Sequence, residues 1–277
     1  MQLMLELTRR CNMACSHCLR GDAEALDMPR NILWAALRNL DYTELGIGGG
    51  ESILNTKILS EFWQNILYAD VKADYMWIVT NGRRLYKELA HDEVHLHDYP
   101  DMENTFYAYL CKISRVVPIN MGISIDQWHE DDQDKYFRTI SDVFENNGSY
   151  SEVRVCKHGP REYTSLINMG RTGPYNGKEL ELCADFDFIY VNALGDIYPS
   201  CDLSYSFMDT QKGTALWLGN VLTHSFEEIE QRTVYLRFLI GQSKDNCLYL
   251  TELGCPELED LEAEHPELPQ EYVYEEA

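Results

Sequence analysis

Basic residues are scarce in this chain. Its 277 residues include 23 Lys and Arg against 46 Asp and Glu, a formal net charge of −23. Binding to a nucleic-acid backbone draws on clustered Lys and Arg, so this balance argues against nucleic acid as the main partner. Long apolar runs are missing as well. No stretch of about 18 uncharged apolar residues occurs, which excludes a membrane-spanning helix of ordinary length. The opening MQLMLELTRRC lacks the basic-then-apolar layout of a secretion signal. Cysteine is too sparse for a secreted disulfide scaffold: there are nine, an odd number, and three of them fall between Cys11 and Cys18. That pattern points to a reducing, cytoplasmic setting and to metal ligation rather than bridges. What is present is an ordinary globular composition, 45% hydrophobic, enough for a sizeable core.

Hydropathy patterning alternates strand and helix. Gln2 to Leu7 reads as a short strand, and Met28 to Leu40 has helical apolar spacing with Pro29 in its first turn. Thr43 to Ile47 reads as a strand running into Gly48-Gly49-Gly50. Ile58 to Ala69 is helical, Tyr75 to Val79 a strand stopping at Thr80-Asn81-Gly82, and Arg83 to Ala90 a helix. Met121 to Ile125 is a strand, Asp134 to Glu145 a helix, and Glu152 to Cys156 a strand. The unusual residues stand at the C-terminal ends of the strands. This alternation predicts an α/β fold, a parallel sheet or barrel with its site along one edge. Residues 94–117 fit no unit and read as an insertion. Beyond Gly170 short β-like runs take over, with a helix over Phe226 to Ile240. From Pro256 to Ala277 there are nine acidic residues and no Lys or Arg, the composition of a solvated tail.

Three features carry chemistry. Cys11, Cys15 and Cys18 are spaced C-x3-C-x2-C, so three thiolates on one short loop can wrap one side of a cubane and leave its fourth iron open. Zinc is the competing reading, although zinc sites are usually built from two separated C-x2-C halves. Gly48-Gly49-Gly50-Glu51 follows the second strand, where glycine permits close backbone approach. Ser124, Asp126 and His129 stand at the end of the fourth strand, where Asp126 could equally be a helix cap.

The segment Cys11-Asn-Met-Ala-Cys15-Ser-His-Cys18, followed some thirty residues later by Gly-Gly-Gly-Glu, resembles the signature of the radical S-adenosylmethionine (SAM) superfamily. The resemblance covers roughly residues 3–157. It implies that Cys11, Cys15 and Cys18 hold a [4Fe–4S] cluster and that SAM chelates the open iron. His17 takes the place of the residue against the adenine. Gly48, Gly49, Gly50 and Glu51 meet the methionine end, and Ser124 meets the ribose. Asp126 and His129 then face substrate as candidate catalytic residues. Ser52 stands where the family often has Pro. The implied activity is reductive SAM cleavage followed by hydrogen abstraction, fed by an electron donor such as flavodoxin or ferredoxin.

The stretch from Cys183 to Cys201 reads as a hairpin around Leu194-Gly195-Asp196 and resembles the opening of the auxiliary-cluster (SPASM or twitch) domains appended to many members. With Cys247 and Cys255 it implies a second [4Fe–4S] cluster, although seven residues between the last two is wider than the usual tight pair. A zinc site and plain buried thiols remain alternatives there. Cys111 and Cys156 read as core. His91, His95 and His97 offer a mononuclear metal site or a polar loop, and Arg171 takes no assigned role.

The expectation is thus a partial (β/α)6 TIM-like barrel over residues 1–175, a small α+β auxiliary domain over 176–256, and an acidic tail over 257–277. Its substrate is a ribosomally made peptide, with a small-molecule alcohol as the second choice. A non-catalytic iron–sulfur or zinc protein is the alternative from another class.

Overall fold

The computed structural model describes residues 1–54, 56–68, 73–90, 105–126, 129, 132–146, 152–158, 169–171, 179–251 and 255–266. It is a mixed α/β structure built on a parallel sheet. The parallel strands are β1 (Gln2–Thr8), β2 (Glu44–Gly49), β3 (Tyr75–Thr80), β4 (Ile119–Ser124) and β5 (Val153–His158). They lie in the order β5-β4-β3-β2-β1. Helices α1 (Arg30–Asn39), α2 (Thr56–Tyr68), α3 (Arg83–Leu89), α4 (Phe106–Ile113) and α5 (Gln133–Asn146) connect them, with α3 and α4 both between β3 and β4. Every strand–helix unit read from the sequence is present.

Two departures are informative. Part of the supposed insertion is α4, which buries Phe106, Tyr107, Tyr109, Leu110 and Ile113. Its start is fixed by the Thr105 side chain, which accepts from the Ala108 N–H. Residues 91–104, with His91, His95 and His97, lie outside the described residues. The second departure is a sixth parallel strand, which comes from beyond residue 175 and adds beside β1 rather than beyond β5. It is β7 (Phe188–Val191), paired Leu3 to Ile189 and Leu5 to Val191. Strands β8 (Asp196–Tyr198) and β9 (Gly219–Asn220) continue this edge antiparallel. The ladder therefore ends at β5 on one side and β9 on the other, and among the described residues no pairing closes it into a ring.

The hairpin turn falls at Asn192 to Asp196, as read, with Gly195 at φ +85°. Cys183, however, lies outside that hairpin, on β6 (Leu180–Cys183), which pairs with β10 (Cys247–Leu250) in a separate two-stranded sheet. Helices α6 (Tyr205–Thr210), α7 (Phe226–Gln242) and α8 (Pro256–Glu264) complete this half. The helix read over 226–240 is α7, started by a capping box of Ser225 and Glu228. Part of the stretch read as a solvated tail is the helix α8, with Leu258 buried. No helix among the described residues is long and apolar enough to cross a membrane.

As the middle strand, β1 is covered on both faces. Leu3, Leu5 and Leu7 are fully buried on one face, each worth roughly 1.5–3 kcal/mol. The opposite face is polar. Glu6 is fully buried there, with Arg9 Nε 2.7 Å from Glu6 Oε1 and the Tyr190 hydroxyl donating to Glu6 Oε2 at 2.5 Å. Arg9 also lies over the Tyr205 ring, 4.3 Å from its centroid, and reaches Glu24 at 2.9 Å. This buried pair ties the start of the cysteine loop to strand β7. Replacing Arg9 by Met should leave the Glu6 carboxylate buried without its cation and lower the unfolding free energy by about 3–5 kcal/mol. The double variant Arg9→Met/Glu6→Gln should recover part of that loss, as read by urea titration.

Candidate active site

The site begins where the chain leaves β1. Cys11, Cys15 and Cys18 are half-buried on the following loop. Burial pushes the Cys11 thiol up to about 11, so a metal bound there must displace its proton. The loop is anchored from several directions. The Cys18 N–H donates to Cys15 O (3.2 Å), and the Arg171 N–H donates to Cys18 O (2.9 Å). The Arg171 guanidinium donates to Gly21 O at 2.8 Å, and Arg20 reaches Leu203 O at 2.7 Å. Arg171 is thus a clamp on the cysteine loop. The sequence showed the residue and gave no sign of its partner 150 positions away.

The glycine strand end packs directly against this loop. The Gly50 N–H donates to Thr8 O at 2.8 Å and the Glu51 N–H to Arg10 O at 2.7 Å. These two amides are therefore engaged by the chain itself. Gly49 has φ +125°, and a Cβ there would stand 2.1 Å from Thr8 O. A Cβ on Gly50 would stand 2.4 Å from Arg10 O. Glycine is needed here so that β2 can touch the base of the cysteine loop.

Glu51 is buried and accepts from the Thr80 hydroxyl (2.5 Å) and the Asn81 N–H (2.8 Å). Burial pushes its carboxyl up to about 7, against the opposing pull of those two hydrogen bonds. Thr80-Asn81-Gly82, read from sequence as a structural turn, therefore holds the motif's carboxylate. Asn81 also donates to the Asn12 side chain at 2.9 Å, and Arg83 donates to Asn12 O at 3.1 Å, so the third strand end grips the cysteine loop too. At the fourth strand end Ser124 is half-buried. With its amide nitrogen turned inward, Gln133 donates to Asn81 O (2.8 Å) and Ser124 O (2.9 Å), linking β3 to β4.

His17, Asp126 and His129 come together. His129 Nδ1 is 2.8 Å from Asp126 Oδ1, and His17 Nε2 is 3.4 Å from Asp126 Oδ2. The two imidazoles meet edge to face, 5.1 Å between centroids. Burial would raise the Asp126 carboxyl, but hydrogen bonds with His129 and His17 hold it well below the usual range. Burial opposes the charged form of His129 too, yet Asp126 and Cys15 together raise it to about 9.

The C-terminal cysteines divide. Cys183 and Cys247 stand opposite each other in the β6–β10 register and are joined as a disulfide. The sequence pattern pointed to ligation here. Antiparallel pairing, which local sequence does not reveal, sets the two sulfurs face to face. Cys201 is half-buried after β8, its thiol pushed up to about 12 by burial, and Cys255 is buried at the start of α8. Among the described residues neither joins a convergent group of ligand atoms with Cys183 and Cys247.

Three thiols thus stand on one loop whose root, Thr8 to Arg10, is held by a Gly-Gly-Glu strand end. The cysteine loop and the Gly-Gly-Glu strand end resemble the radical SAM signature. Over 106 residues it is 31% identical to mycofactocin maturase MftC of Mycolicibacterium smegmatis, a match covering 36% of this chain and 26% of that protein. The chain thus spans about a quarter of that relative's length. Among solved structures, Streptococcus suis SuiB bound to the precursor peptide SuiA superposes with a TM-score of 0.44 at 13% identity, covering 93% of this chain and 70% of that one. No protein-family model matches.

Two measurements check the site. Gly49→Ala should cost about 1–3 kcal/mol, because Ala is strained at that φ and meets the Thr8 carbonyl; thermal unfolding reads this. The second concerns pH. A carboxyl whose folded value lies above its unfolded value adds stability that is complete below its unfolded pKa and is lost as pH rises through about 7. The unfolding midpoint of the ligand-free protein should therefore fall between pH 5 and 8, and Glu51→Gln should flatten that fall.

Proposed function

We propose that this protein is a radical SAM enzyme that modifies a peptide. The observation that carries the reading is the packing of a three-cysteine loop against Gly49, Gly50 and Glu51. The donor set fits a [4Fe–4S] cluster: three thiolates from one loop, spread more widely than the shell of a single ion, leave one iron for an outside ligand. Cys11, Cys15 and Cys18 would hold the cluster. When bound, cluster and SAM together would supply one-electron reductive cleavage and hydrogen abstraction.

The chain's own residues bind, orient and exclude water. Glu51, buried and held by Thr80 and Asn81, offers a carboxylate whose ionisation is favoured beside a cationic amine. His17, on the cysteine loop beside Asp126, and Ser124, at the end of β4, would position the nucleoside. Asp126 and His129 would face substrate. Behind them β1 to β5, joined by β7 as a sixth parallel strand, would wrap the site as a partial (β/α)6-type barrel, with the rest of residues 176–256 as the auxiliary unit. Similarity to a maturase over 106 residues supports a peptide as substrate. A flavodoxin or ferredoxin would supply electrons. Cys183, Cys201, Cys247 and Cys255 would hold a second cluster once reduced.

The test is anaerobic. Reconstituted protein mixed with SAM and dithionite should release 5′-deoxyadenosine, and Cys15→Ala should abolish that release. About eight irons per chain supports two clusters and about four supports one. No nucleoside release from iron-loaded protein would leave a non-catalytic iron–sulfur protein.

A further inference from the structure

Two groups among the described residues bring three ligand atoms within 4.8 Å of one another. One is Glu181, Cys183 and Cys247, which contains the disulfide. The other is Cys15, His17 and His129, and it leaves out Cys11 and Cys18. The cysteine trio is thus spread for a larger object, while one of its members converges with two imidazoles.

Asp126 organises those imidazoles. Its Oδ1 lies 2.8 Å from His129 Nδ1 and accepts the His129 backbone N–H at 3.2 Å, and its Oδ2 lies 3.4 Å from His17 Nε2. The Asp126 and His129 side chains are 1% and 6% exposed. With Nδ1 of His129 turned to a carboxylate, its Nε2 lone pair is the one left for a metal. A carboxylate behind a ligating imidazole fixes its tautomer and raises its basicity, as in carboxylate–histidine–zinc arrangements.

We propose that the chain, before it takes up its cluster, binds one zinc-like divalent ion through Cys15, His17 and His129, with Asp126 orienting both imidazoles. A thiolate with two imidazoles suits a borderline-soft ion such as Zn²⁺, with an exogenous ligand in the fourth position. The thiolate and the Asp126 carboxylate together balance its charge. The inference goes beyond the proposed function, because the single ion and a four-iron cluster share Cys15 and exclude each other. The ion holds the loop in place until the cluster assembles.

Co²⁺ is the probe, added to full-length protein purified anaerobically under reducing conditions and stripped with chelator. One equivalent should bind, giving the intense visible bands of four-coordinate cobalt and a thiolate charge-transfer band, all removed by Zn²⁺. His129→Ala and His17→Ala should weaken binding at least tenfold, and Asp126→Asn about 10–100-fold. Cys15→Ser should abolish the charge-transfer band, and Cys11→Ser and Cys18→Ser should leave binding unchanged. Because a variant can misfold, the wild-type cobalt protein is also examined by proton NMR, where two paramagnetically shifted imidazole N–H resonances are expected. Failure to bind cobalt overturns the proposal, as does loss of the site in Cys11→Ser and Cys18→Ser with its retention in His129→Ala. Iron and sulfide reconstitution of the same wild-type sample separates the two readings. A cluster without cobalt binding sinks this inference alone, and cobalt binding without a cluster sinks the cluster reading alone.

Discussion

Everything at the site depends on how closely two backbones approach. Where β2 ends, Gly49 and Gly50 press against Thr8 and Arg10 so tightly that a single methyl group at Gly49 would fall 2.1 Å from a carbonyl oxygen. Two hydrogen bonds, Gly50 N–H to Thr8 O and Glu51 N–H to Arg10 O, run along the contact. They carry the β2 end onto the base of the cysteine loop, while the Glu51 side chain is held by Thr80 and Asn81. A loop bearing three thiols is otherwise a floppy object. Here it is fastened at its root by β2, on one flank by Asn81 and Arg83 through Asn12, and at its far end by Arg171 and Arg20. A cluster that must present one iron in a fixed direction needs such fastening, because positioning a reactive centre is where much of a protein's contribution to catalysis lies.

The buried charges follow from that arrangement. Glu6 sits on the middle strand, Arg9 pairs with it from just past the strand's end, and Tyr190 reaches Glu6 from β7. An ion pair this deep adds little net stability over apolar packing. Its effect is to join the root of the cysteine loop to a strand that lies almost two hundred residues further along the chain. The loop and the C-terminal hairpin are thereby one connected unit.

Much of the sheet was legible because strand and helix periods alternate cleanly between Gln2 and Cys156, and because turn residues close each unit. The helix α4 was missed since its aromatic run, Phe106 to Leu110, lacks a polar face to betray its period, although Thr105 was there as a cap. The place of β7 beside β1 is a non-local pairing, and apolar residues such as Ile189 and Val191 do not announce their neighbours. Within the site, cysteines and glycines were readable because few other residue types do what they do. Thr80, Asn81 and Arg171 were not, since their roles arise from partners 29 or more residues away. The pairing of Cys183 with Cys247 depends on strand register in the same way.

On the function proposed above, the cysteine loop offers an outside ligand an iron with one free coordination position. Electron paramagnetic resonance of the anaerobically reconstituted, reduced protein tests it most directly, recorded with and without SAM. A reduced [4Fe–4S] signal is expected in the absence of SAM and a shifted signal when SAM is added, both lost in Cys11→Ala or Cys18→Ala. A cubane signal indifferent to SAM, or a metal-loaded protein containing zinc and no cubane, would contradict it.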